Sequence, residues 1–331
     1  MSEPIFIARQ DTLEQEILPA HWLAQYKLFG EESYTFQDKG IWKKLCMSRA
    51  AANDRDMHAE ALEEMLTTFS AEHTGKWMLL VYGTNAAALE GLATMAAIAA
   101  NGTAMGAIAD NALLMHAIAN SETAMQRIAN SQTAMQRVAN NRGAMDAIGK
   151  SKIARDAVQA SPYYNSCIKE NDMAIAKLAV ALANLESAGY SGMAGVAADS
   201  TAMTAVAASS TAMTAVAASA TAMGKIAAVD AALSKLAAST TAMDALYARK
   251  KKLNGGSASK SGKFIILEIS ASNAFNTSKY GYATLSDGSK PDWSSYLAKY
   301  AFFQKYPKYA TYMLNDTDSD DYIYYFDIAS P

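Results

Sequence analysis

Proline, cysteine and net charge are all scarce in this chain of 331 residues. There are two cysteines and six prolines. Cys46 and Cys167 are too few for a disulfide framework and read as buried thiols of a chain made in a reducing cytoplasm. The formal net charge is −3 and the pI about 5.9, which gives no electrostatic case for nucleic acid. Apolar residues make up 51%, but much of that is alanine. No run of about 18 apolar residues appears, so membrane insertion is not expected. Glu3, Asp11, Glu14 and Glu16 make residues 1–20 unlike a secretory signal.

Signatures of catalysis are missing too. His21, His58, His73 and His116 are scattered and form no metal-binding spacing. There is no Gly-x-Ser-x-Gly elbow. Gly256–Lys263 has the wrong glycine spacing for a phosphate loop, and Phe264 stands where Ser or Thr is needed. Neither an enzyme nor a cofactor is expected. Asp316, Asp318 and Asp320 alternate as in a calcium loop, with Asp327 in the twelfth place, but Asp321 occupies the position of the required glycine. An acidic, solvated turn is the plainer reading and calcium the alternative.

What the chain has in abundance is a period of ten. Methionine recurs at Met95, Met105, Met115, Met125, Met135 and Met145, and again at Met193, Met203, Met213, Met223 and Met243, with Leu233 in the gap. Three residues after each stands a branched apolar residue, such as Ile108, Ile128, Val138, Val206, Val216 or Ile226. The fullest copies read Ser-x-Thr-Ala-Met-x-x-Ile/Val-Ala, as at Ser121–Ala129 and Ser131–Ala139. A fixed period decides architecture before anything else does.

Ten residues fall roughly 80° short of three helical turns, so one continuous helix would carry the methionine stripe around its axis. A broken reading fits better. Ser, Thr or Asn precedes each Ala-Met pair, where a side-chain oxygen caps free amides. The residues between are good helix formers. Each copy is therefore expected to be about two turns of helix and a polar corner, with Met and Ile/Val on one face.

One copy buries two apolar side chains, worth about 1.5–3 kcal/mol each, against an ordering cost on the order of 15 kcal/mol. Copies must stack. Because most other apolar positions are alanine, the face is expected to pack against an identical chain through Met105, Ile108, Met125, Ile128, Met135, Val138, Met203, Val206, Met213, Val216, Met223 and Ile226. A helical solenoid of one chain is the alternative.

The fold class expected is mainly α, with small α+β end domains and short-helix repeats forming an oligomeric, trimeric shaft. Residues 1–90 read as a globular α+β anchoring domain, with strands at Pro4–Ala8 and Lys76–Tyr82 and helices at Leu13–Phe29 and Asp54–Phe69. The first repeat block spans 91–161. Residues 162–190 interrupt it, with one longer helix at Asp172–Ser187, because Met145 and Met193 are out of register. The second block spans 191–253 and ends in the basic run Arg249–Lys252. Residues 254–262 read as a Gly/Ser linker and 263–331 as a tyrosine-rich α+β domain. Strands are expected at Phe264–Ile269, Tyr280–Leu285 and Tyr322–Ile328, and a helix at Trp293–Phe303. Ten of the seventeen tyrosines follow residue 279. They either form a glycan- or protein-binding surface or cover a small core.

Arrays of Thr-Ala-Met-x-x-Ile/Val-Ala-x-Ser, as in Ser209–Ser219, resemble those in tail-fibre and other tail-appendage proteins of large tailed bacteriophages. The resemblance covers the two repeat blocks only. It implies a homotrimeric structural protein of the virion, made in the bacterial cytoplasm. Such a subunit meets other tail, baseplate or collar proteins at one end and a host receptor or further fibre at the other. The alternatives are a collar, baseplate or adaptor component without receptor contact, or a cellular helical-repeat scaffold or adhesion protein.

Overall fold

The computed structural model describes residues 91–270, 281–291 and 296–331, together with Ala59, Leu62, Glu63, Leu66, Thr67, Gly75, Met78 and Ala86–Leu89. The described residues are mainly helical, with a small antiparallel sheet near the C-terminus. The strand expected at Pro4–Ala8 and the helix at Leu13–Phe29 lie outside them. The described residues of 54–69 are helical, and so is Met78, where a strand was expected. By its contacts the chain forms two compact units, Met1–Ile168 and Lys169–Pro331.

In the first unit the decapeptides become α1 (Met95–Ala100), α2 (Gly102–Ala109), α3 (Ala112–Ala119), α4 (Glu122–Ala129), α5 (Gln132–Ala139), α6 (Arg142–Lys150) and α7 (Lys152–Ala160). Each ends because one residue turns to an extended conformation and starts the next helix. Ser131, at φ −118° and ψ 117°, is typical, and its hydroxyl accepts from the Ala134 amide at 3.3 Å. That is an N-cap, satisfying a donor which the first turn cannot.

Helices do not pack on their sequence neighbours alone. α4 lies on α1, α5 on α2, α6 on α3 and α7 on α4. Three helices thus complete one turn of a coil, and the fourth begins the next layer. The cap hydroxyl ties the layers: it also donates to a carbonyl 32 residues earlier, at the end of a helix in the layer before. Ser131 reaches Ala99 O at 2.6 Å, Ser151 reaches Ala119 O at 2.5 Å, and Ser161 reaches Ala129 O at 2.5 Å. At these corners a single serine side chain both caps and staples.

This arrangement corrects the sequence expectation for the apolar face. Met105, Ile108, Met125, Ile128, Met135 and Val138 are all 0% exposed within the single chain, as are Met203, Val206, Met213, Val216, Met223 and Ile226. The other sides of the same coil and the layers above and below supply the surface that the thin face needs. The stacking is that of the single-chain solenoid, and these residues are not left for a partner.

The second unit repeats the design. It comprises α8 (Asp172–Leu182), α9 (Met193–Ala198), α10 (Ser200–Ala208), α11 (Ser210–Ala217), α12 (Ala220–Ala227), α13 (Asp230–Ala238) and α14 (Thr240–Tyr247). Again each helix lies on the one three before it, and Ser239 donates to Ala207 O at 2.5 Å. α8 is different. It ends at Leu182, not Ser187, and runs antiparallel to α11. Ser209, at the start of α11, bonds the Leu182 carbonyl at α8's end (3.1 Å), while Glu170, ahead of α8's start, bonds Thr221 beyond α11's end (2.9 Å). α8 so closes the first layer of this coil. Its Ala176, Leu178, Ala179 and Val180 are 0% exposed, and Lys177 is buried with its ammonium on the Ser187 carbonyl at 3.0 Å.

The register is less broken than the methionines suggest. Ser161 and Asn171 hold the cap place, Ile175 the methionine place and Leu178 the branched place. Met193 follows Ile175 by 18 positions, one repeat plus eight residues. The insertion lies after α8, where the chain turns back to begin α9.

The sheet closes the other end. β1 (Lys251–Asn254), β2 (Ala258–Ser270), β3 (Gly281–Leu285), β4 (Tyr296–Leu297), β5 (Ala310–Asn315) and β6 (Tyr322–Asp327) pair in the order β1-β6-β2-β5-β3, with β4 also on β2. The expected linker 254–262 is instead the end of β1, a tight turn at 255–257 with Gly256 at φ 82°, and the start of β2. β2 begins at Ala258 and is paired there with Asn315. In place of a helix over Trp293–Phe303 the described residues form β4 and then α15 (Ala301–Lys305).

One face of the sheet joins the coil. Ile265, Leu267, Phe303, Phe326 and Ile328 share a single core with Leu236 and Leu246. The other face holds Phe264, Ile266, Ile269, Met313 and Ile323 with Phe302. A one-residue bulge in β2 between Ile266 and Glu268 switches the alternation. It turns Glu268 to the coil side, where it meets Tyr247.

Candidate functional site

The aspartates singled out in the sequence do not converge. Asp316 accepts from the Ser257 hydroxyl, and the Asp318 carbonyl accepts from the Asp321 amide at 3.0 Å. Asp327 lies in β6 between Lys251 (3.5 Å) and Lys260 (3.6 Å), its charge already met by two ammoniums. Among the described residues no three His, Cys, Asp or Glu side chains are placed to hold a metal ion. The calcium reading of Asp316, Asp318, Asp320 and Asp327 is therefore corrected: Asp316 and Asp318 lie at the turn that packs on Gly255 and Gly256, and Asp327 lies at the far end of β6.

Two other carboxylates have a clearer task. Glu170 accepts from the Ala220 amide at 3.2 Å and the Thr221 amide at 2.9 Å. Glu63 accepts from the Ser121 hydroxyl at 2.5 Å, the Thr123 hydroxyl at 2.5 Å and the Thr123 amide at 3.1 Å. Each stands at the start of a helix, α12 or α4, and accepts the bonds that a cap or a lower-layer carbonyl otherwise takes. Burial works against both charges, but the hydrogen bonds outweigh it and hold both pKa values below the usual carboxylate range. A lowered folded pKa means stability present in full above the unfolded value and lost as pH falls through the folded one. Glu170→Gln is expected to cost on the order of 0.5 kcal/mol at pH 7, since the group is partly solvated. The gap from wild type should close in acid, as pH falls through the lowered folded pKa. Thermal melts of both proteins at pH 7 and in acid measure it, and a gap that persists in acid rules out the charge as its cause.

The tyrosines of the C-terminal unit gather at the rim where sheet and coil meet. In β6, Phe326 faces the coil core, and Tyr324 and Tyr322 continue the same face past the coil's edge. Tyr247, the last residue of α14, meets them there. The Tyr247 and Tyr324 ring centroids are 6.0 Å apart, and those of Tyr324 and Tyr322 are 4.5 Å apart. Tyr300 joins the row at 5.7 Å from Tyr247. Glu268 fixes the phenols: Tyr247 donates to it at 2.5 Å and Tyr322 at 3.3 Å. Burial and the Glu268 carboxylate raise the pKa of both tyrosines, so they stay neutral donors.

Lysines lie over this row. The Lys250 ammonium is 4.1 Å from the Tyr247 centroid and 5.1 Å from that of Tyr324. Lys252 is 5.0 Å from Tyr322, and Lys299 is 4.4 Å from Tyr247. Such contacts are worth about 0.5–1 kcal/mol each at exposed sites. Lys299 is also paired with Asp244 at 3.1 Å, which Tyr300 bonds as well. The density of tyrosine marks this region in the sequence. The partnership with Lys250 and Lys252 does not show there, since the basic run reads first as a helix C-terminus.

No described helix is long and apolar enough to cross a membrane. No protein-family model matches the chain, and no curated protein is significantly similar to it.

Proposed function

We propose that the chain is a structural subunit of a tailed bacteriophage virion, a tail-fibre or tail-appendage protein. The observation that carries this reading is the repeat itself. Its Thr-Ala-Met decapeptides resemble those of phage tail appendages, and they build stapled coils whose repeat-facing interior is mostly Ala, Met, Ile, Val and Leu. A coil of this kind serves as an arm, with most of its inward positions spent on packing. The N-terminal region is the anchor, the coils are the arm, and the sheet-closed end carries the surface that meets a host receptor or a further fibre. The tyrosine and lysine row favours contact at that end over a part buried in a collar or baseplate. A homotrimer comes with the resemblance. The thin apolar face is no longer a reason for it.

Particles purified from cells infected by the phage that encodes the chain provide the test. Peptides of the chain should appear in them at constant stoichiometry, and antibodies to residues 251–331 should label the tail. Absence from washed particles would falsify the virion assignment. The mass of the purified protein in native buffer decides the trimer.

A further inference from the structure

We infer that the row Tyr247, Tyr324 and Tyr322, with Lys250 and Lys252, is a binding site for a polysaccharide built of carboxylated sugars. Two features of the row support this. The first is unspent charge. Lys250 and Lys252 are exposed and make no ion pair among the described residues, while Lys299, Lys251 and Lys260 all do. The second is preorganisation. Glu268 takes the phenol hydrogens of Tyr247 and Tyr322, so these rings are fixed before any ligand arrives. Neighbouring ring centroids are 4.5 and 6.0 Å apart, on the scale of one sugar residue.

The lysines decide the class of sugar. Their ammoniums rest on the ring faces, so a neutral sugar that stacks there must displace a cation and offers nothing in return. A carboxylated sugar draws the ammonium off the ring into an ion pair and bares the face for its own C–H groups. Lys250 and Lys252 are long, exposed side chains that can make this swing.

This inference stands on the surface alone and holds whether or not the chain belongs to a virion. It is tested on the purified full chain by calorimetric titration with oligogalacturonate, oligoalginate and oligosialic acid. A maltooligosaccharide of equal length and polyglutamate serve as neutral and acidic controls. At least one acidic glycan should bind, and both controls should bind more weakly. Changing Lys250 and Lys252 together to Ala should weaken that binding roughly tenfold, the worth of two exposed ion pairs. Tyr324→Phe, which keeps the ring, should bind as wild type, and Tyr324→Ala should bind less. Melting curves confirm that the lysine variant is folded. Binding by none of the three acidic glycans overturns the proposal. So does polyglutamate binding as tightly as they do, which would point to an acidic protein partner, or a lysine variant that binds unchanged.

Discussion

Met213→Ala is expected to lower the stability of the second unit by about 2–5 kcal/mol, and by the same amount at every protein concentration. Met213 is 0% exposed in α11, the helix with α8 on one side and α14 on the other. Truncating it leaves a cavity in the middle of the coil, where two neighbouring layers would have to shift to fill it. Thr214, one residue on, is exposed, and its hydroxyl donates to Ser210 O of its own helix at 2.8 Å. Thr214→Ala should therefore stay within about 0.5 kcal/mol of wild type. Urea unfolding over roughly a hundredfold range of concentration separates two kinds of core. A core shared between chains loses stability on dilution by mass action, and a core closed within one chain does not. A Met213 effect that grows on dilution would show that the packing continues into a second copy.

Phe326→Ala should cost about 3–5 kcal/mol and should melt sheet and coil together. The side chain belongs to β6, yet it is 0% exposed in the core that also contains Leu236 of α13 and Leu246 of α14. Reading by composition makes 263–331 a separable domain behind a flexible joint and places proteolysis at Lys260 or Lys263. The structure requires the opposite. Lys260 is paired with Met313 across the sheet and with Asp327 through its charge, so trypsin should spare it while the fold lasts. Removal of 251–331 should expose the apolar end of the last layer and drive the remainder to associate, as repeat arrays without an end cap do. A soluble, fully helical 1–250 fragment with an unchanged melting temperature would refute the role of the sheet as a cap.

Local order was legible in the residues because local chemistry makes it. Ser131 or Ser239 stops one helix and starts another through a bond to an amide three residues on, and Met213 and Val216 share a face because they are three apart. The length of each helix, its corners and its buried side follow from such short-range terms. So does the identity of α8 as a further copy, once caps rather than methionines are counted. What covers the buried face is a different kind of question, because a Met and a Val on one face satisfy a partner chain or a sister layer equally. The tertiary structure decided it through bonds spanning 32 residues from cap hydroxyl to carbonyl, which need only a serine and any backbone oxygen and so leave no pattern of their own. The reversal of α8, the strands at 251–254 and 258–270, and the meeting of Tyr247 with Tyr324 likewise depend on partners far along the chain. Only packing can bring those together, since a Gly- and Ser-rich stretch is a linker or a hairpin according to what lies beside it.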